Sequence, residues 1–122
     1  MAQLFSLGHL ARIMSEHNDI QTFTGSFRTD TDPFWIRLRE VVRERGVDPS
    51  TSLLVFTVED DIYFEFGIIV TLDRRVIQYG FSYTDSVADG KLTEWEDLSE
   101  RWATSPYRSD VSAGLSILEN VA

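Results

Sequence analysis

A chain of 122 residues is the size of one domain, and with 43% hydrophobic and 12% aromatic residues it is not a disordered acidic tail. Its net charge of −9 opposes phosphate backbones and anionic lipid, so neither nucleic acid nor a membrane surface is an expected partner. The absence of Cys excludes disulfides, thiolate chemistry and sulfur-ligated zinc.

The N-terminus, "MAQLFSLGHLARIMSEHND", has no basic lead-in and no unbroken apolar core, so it reads as a poor signal peptide. Leu4, Leu7, Leu10, Ala11 and Met14 instead recur at helical spacing, which predicts a first amphipathic helix closed by Asn18-Asp19. His9 and His17 share it but stand two turns apart, too far around the axis for joint ligation. The next segment, "IQTFTGSFRT" (20–29), reads as a short strand with a turn at Gly25 or as an ordered loop. A second helix has stronger punctuation. Asp32 caps it, Pro33 supplies the preset φ of the first turn, and Gly46 stops it. Phe34, Leu38, Val41 and Val42 form its apolar stripe, with Trp35 one place off the centre. Its other face carries four Arg, and Glu40 is placed to balance Arg37 and Arg43.

Strands follow. Leu54, Phe56 and Val58 alternate with other residues, and so do Ile62, Phe64, Phe66, Ile68, Val70 and Leu72, and then Ile77, Tyr79, Phe81 and Tyr83. Three antiparallel strands are expected over residues 53–84, with Phe56, Phe64, Phe66, Ile68, Ile77 and Phe81 on one buried face. Glu59, Asp60 and Asp61 then form a three-residue turn that sets Val58 opposite Ile62, and no metal is expected there. A two-residue turn at Asp73-Arg74 sets Gly67 directly opposite Gly80 on the other face, leaving a strip of bare backbone. Glu65, within this aromatic strand, is the acid whose setting favours a raised pKa, although alternation puts it off the core face.

The tail predicts two helices. Thr93 and Glu96 match a capping box, with Trp95, Leu98 and Trp102 on one face. Ser105-Pro106 begins the last helix, whose stripe is Tyr107, Val111, Leu115 and Leu118. The expected architecture is a single α+β domain over residues 1–122, in the order ααβββαα. Its three- to four-stranded antiparallel sheet is packed on one face by helices.

Charge is unevenly placed. Residues 1–45 hold six acids and six Arg, whereas residues 46–122 hold fourteen acids against four Arg and one Lys, so all of the −9 lies in the second part. No Gly-rich phosphate loop, His pair at metal spacing or nucleophile elbow is present in the sequence. In size, acidity and lack of Cys or catalytic motif, the chain resembles in general build the small bacterial inhibitor proteins, such as immunity proteins that block a toxin. That resemblance implies a cytoplasmic, non-enzymatic protein without cofactor that neutralises a basic partner, a toxin or effector. The acids Glu59, Asp60, Asp61, Glu94, Glu96, Asp97 and Glu100 would steer the partner, and Trp35, Gly67 and Gly80 would receive it. A small pocket-bearing ligand-binding protein or enzyme and an acidic secretion chaperone are the alternatives.

Overall fold

Apolar residues alternate through the middle of the chain, and the sheet they form is the element on which everything else packs. The computed structural model describes residues 16–61 and 64–121. Helices α1 (Glu16–Thr29) and α2 (Pro33–Glu44) lead into strands β1 (Leu53–Asp61), β2 (Phe64–Val70), β3 (Val76–Ser82) and β4 (Lys91–Asp97). Helix α3 (Arg108–Val121) follows. The four strands form an antiparallel sheet in chain order, β1-β2-β3-β4. The fold is therefore α+β, with an antiparallel sheet packed by helices.

Both faces of the sheet are apolar, not one. Leu53, Val55, Phe56, Ile68, Val70 and Val76 lie on a first face, which Val111 and Leu118 of α3 cover. Leu54, Ile69, Ile77, Tyr79 and Phe81 lie on the second, against Leu38, Val41 and Val42 of α2. Helix α1 runs beside β1 and joins the two layers, giving Ile20 to the first and Phe27 to the second. It also seals that edge of the sheet. The Leu54 N–H donates to the Thr24 hydroxyl at 3.0 Å, and Arg28 Nε donates to the Ser52 carbonyl at 3.1 Å. Arg39 of α2 in turn donates to the Ser26, Phe27 and Asp30 carbonyls, satisfying groups that the end of α1 leaves open.

Several expectations hold. Asp32 caps α2 through the Phe34 N–H at 2.9 Å, Pro33 opens the helix, and Gly46 takes φ 83° beyond its end. The three strands of residues 53–84 form the expected meander, and Val111 and Leu118 are buried on the last helix.

Three features differ. Residues 20–29 are helix, because Ile20, Phe23, Thr24 and Phe27 recur at i, i+3, i+4 and i+7 and all turn inward, while Gly25 faces solvent. The chain therefore does not end a helix at Asn18-Asp19; the helix expected over residues 4–14, with His9, lies outside the described residues. Second, the β2–β3 loop holds three residues, Leu72-Asp73-Arg74. Thr71 N–H bonds the Arg75 carbonyl at 2.9 Å, and Arg74 takes φ 68°. One extra loop residue moves the register by one, pairing Gly67 with Tyr79 and Phe66 with Gly80. Ile77 and Phe81 thus turn to the second face, away from Phe56, Phe66 and Ile68 on the first, and Phe64 is only half-buried.

The third difference is β4. The predicted capping-box helix at Thr93 is instead a strand added to β3, with Tyr79 opposite Trp95. Trp95 and Leu98 fall on different layers, because residues three apart on an extended chain face opposite sides, and the Leu98 N–H continues the pairing with the Val76 carbonyl at 2.7 Å. A short 3-10 turn at Trp102–Thr104 leads into α3.

Candidate functional site

The two edges of the sheet are unlike. Strand β1 is sealed by α1, whereas β4 ends the sheet and no described helix lies along its outer side. Of its seven residues only Leu92 and Trp95 are half-buried, and the other five are exposed. Both apolar residues point to the second face, beside Phe81 and Tyr79, and the guanidinium of Arg45 lies 5.6 Å from the Trp95 ring centre. Glu94 and Glu96 point to the first face, opposite Gly80 and Gln78. The register shifts between Gly80 and Phe81, so Thr93 is a bulge and residues 94–97 are the regular part of the edge.

Helix α3 packs chiefly over β1 and β2, so it is centred away from the β4 end of the first face. At the border of this region stand Phe56, Phe66 and Tyr107, whose ring centres are 5.0–5.8 Å apart. The Phe64 ring leans over Gly80 toward the stem of Glu94. A methyl group built on Gly80 would lie 3.1 Å from both.

The expected site residues separate into groups. Glu94, Glu96, Asp97 and Glu100 are all exposed on β4 and the turn after it, and Gly80 lies beside them. Glu96 pairs with the Arg101 guanidinium. Asp97 is partly structural, since the Ser99 hydroxyl and N–H hold its carboxyl below the usual range, and the Ser99 hydroxyl in turn accepts from Val76 N–H at 3.0 Å. Glu94 and Glu100 carry the least encumbered charge. Glu59 is exposed on β1, opposite Glu65, three strands from β4 and so roughly 14 Å away. Residues 59–61 are thus not a three-residue turn but the end of β1: Val58 pairs with Phe66 and Asp61 with Phe64. Glu59 does not share a patch with residues 94–100. Trp35 lies on the second face, half-buried and edge-on to Phe34 at 4.9 Å.

The glycine strip does not form. Gly67 and Gly80 lie on opposite faces, and Gly67 is covered by the Tyr79 ring from the next strand. Tyr79 is fully buried, and its hydroxyl donates to Glu65 Oε2 at 3.3 Å. Burial pushes the Glu65 carboxyl up to about 7, offset in part by the Thr57 and Tyr79 hydroxyls. Burial and the neighbouring Glu65 charge hold the Tyr79 phenol well above its ordinary value. Glu65 is the acid the sequence singled out, and the face it occupies proves to be a core face. Tyr79 has no exposed surface, whereas Glu65 is half-buried. Among the described residues no cluster of three or more acidic or His side chains is arranged to hold a metal ion. No described helix is long and apolar enough to cross a membrane.

Sequence reasoning missed that Phe64 and Gln78 adjoin the acids of β4. The odd-numbered apolar residue of β2, Ile69, was the available signal that both faces are covered. The chain matches no protein-family model, no curated protein and no solved structure.

Proposed function

We propose that this protein works by binding: it is a non-enzymatic acidic inhibitor, of the immunity-protein kind, that neutralises a basic protein such as a toxin or effector. The observation that carries this reading is the asymmetry of the sheet. One edge is sealed by α1, and the other presents Glu94, Glu96, Asp97 and Glu100 to solvent. Residues 85–101 hold six acids against Lys91 and Arg101, a local excess of four negative charges. Such a field attracts a cationic surface and raises its association rate. Among the described residues the strongly perturbed acid, Glu65, is half-buried and engaged by the hydroxyl of the buried Tyr79, a structural setting that accords with a binding role. The test is affinity capture with the tagged protein in its native host, followed by stopped-flow kinetics with the captured protein. A basic partner is expected, with an association rate that falls about tenfold or more from low to high salt. A rate that is flat with ionic strength, or a partner without a basic surface, would overturn the reading.

A further inference from the structure

We infer that β4 is a docking edge for an extended segment of the partner, which adds a fifth strand beside residues 94–97 and carries Lys or Arg at alternate positions with apolar residues between them. This inference rests on the binding reading above and specifies how the partner is held. An outer sheet edge presents unpaired N–H and C=O groups, which an extended chain satisfies without rearrangement. Side chains on an added strand stand beside those of β4 on the same face, with successive residues of one face about 7 Å apart. Glu94 and Glu96 are two such residues, both on the first face. A strand with cations at i and i+2 sets one against each carboxylate. The residue between them turns to the second face, where the half-buried Trp95 stands.

Neighbouring features fit this occupant. On the inner side of Glu94 lie Gly80 and the Phe64 ring, so a guanidinium that reaches over Glu94 meets an aromatic flank. Arg101, paired with Glu96 on the exposed surface, is displaced by the incoming cation at little cost, since both partners are largely in water. Lys91 lies beyond the bulge at Thr93 and disfavours a cation there, so the basic pattern is confined to residues 94–97. A second copy of this chain is a poor occupant. Pairing residues 94–97 with themselves sets carboxylates opposite carboxylates, in a protein already at −9.

The test uses the full chain and three synthetic peptides as long as β4, seven residues. One alternates lysine and valine. The second has the same composition with its lysines in one block. The third is the alternating peptide with every second backbone nitrogen methylated. NMR titration reads affinity, and hydrogen exchange reads protection of the β4 amides. The alternating peptide should bind best and slow exchange in residues 94–97, and methylation should weaken it about tenfold by removing ladder hydrogen bonds. Glu94→Lys, an exposed substitution that leaves the core untouched, should weaken it while the fold persists.

Equal binding of all three peptides would overturn strand addition and leave the electrostatic reading standing. No binding of any peptide would overturn strand addition alone, because the captured-partner kinetics test the reading separately. Slow β4 exchange in the free protein, with or without concentration-dependent dimerisation, would also overturn it, since the edge would already be occupied.

Discussion

Placing a single methyl group on Gly67 should be among the most damaging small changes in this chain. Its Cβ would lie 2.5 Å from Tyr79 Oη and 2.6 Å from Tyr79 Cε2 and Cζ. Ordinary contact begins near 3.4 Å, so the ring must retreat by roughly 0.9 Å in a close-packed interior. Tyr79 has no exposed surface and is packed in the layer that contains Ile69, Ile77 and Phe81, so little space exists for that retreat. Overpacking of this kind costs about 1–3 kcal/mol, and distorting the Tyr79–Glu65 hydrogen bond adds about 1 kcal/mol. The lower chain entropy of Ala returns about 0.5–1 kcal/mol. A net loss of about 1–3 kcal/mol follows for Gly67→Ala, or a Tm lower by roughly 5–15 °C. Urea unfolding at pH 7 measures it. Two other glycines serve as controls. Gly80→Ala meets the half-buried Phe64 ring and the Glu94 Cβ at 3.1 Å, a milder crowding next to the edge strand, and should stay within about 1 kcal/mol of wild type. Gly25→Ala has nothing within 4 Å on the open face of α1 and should stabilise by about 0.5–1 kcal/mol. In a Tyr79→Leu background the Gly67→Ala penalty should shrink by more than about 1 kcal/mol. If Gly67→Ala is as stable as wild type, or less harmful than Gly80→Ala, the register that puts Tyr79 over Gly67 is wrong.

Glu65, pushed up to about 7 by burial, keeps its proton in the folded state after the unfolded chain has released it near 4.5, so wild-type stability should fall as pH rises through this interval. The loss is on the order of 3 kcal/mol, and Glu65→Gln should remove most of it, making the variant the more stable protein at pH 8; parallel pH profiles by urea unfolding would refute this. Phe81→Ala should cost about 3–5 kcal/mol, whereas Phe64→Ala, at a half-exposed site, should cost about 1–2 kcal/mol, as paired denaturation curves would show. Asp32→Ala should destabilise by about 0.5–2 kcal/mol through loss of the α2 cap, with Asp32→Asn close to wild type.

The sequence discloses its elements where a local rule and the tertiary demand agree. Asp32-Pro33 and Gly46 bracket α2 because capping and φ preferences act within a few residues. The alternation through β2 reads as a strand for the same reason. What stayed hidden depends on single residues. One more residue in the Thr71–Arg75 turn exchanges the faces of Ile77, Tyr79 and Phe81, and turn length cannot be read from Asp73-Arg74 alone. Two amphipathic helices, α2 and α3, each require an apolar sheet face, and that requirement already argued against one covered face. Residues 93–98 satisfy a helical pattern locally, yet the free side of β3 has ladder groups to pair, and pairing prevailed over propensity. The bulge at Thr93 breaks the period of two that would have marked the strand.

The mislaid strand also explains why the charge pattern was legible before its placement was. On a helix, Glu94, Glu96, Asp97 and Glu100 would point around an axis and disperse their field. On the last strand of a sheet, Glu94 and Glu96 stand on one face and Asp97 on the other, so the edge carries negative charge on both sides. Carboxylates in this arrangement oppose a second copy of the same strand, which protects an otherwise adhesive edge from self-association. A cationic strand meets no such opposition. On the proposed reading, the residues that oppose self-pairing of this edge would also be the ones that select a basic partner. Reversing Glu94 and Glu100 to Lys should accordingly produce two linked effects: weaker association with a basic partner, and a greater tendency to dimerise at high protein concentration. Sedimentation velocity on the variant measures the second effect directly. A doubly reversed protein that stays monomeric while losing its partner would separate the two roles and confine these acids to steering alone.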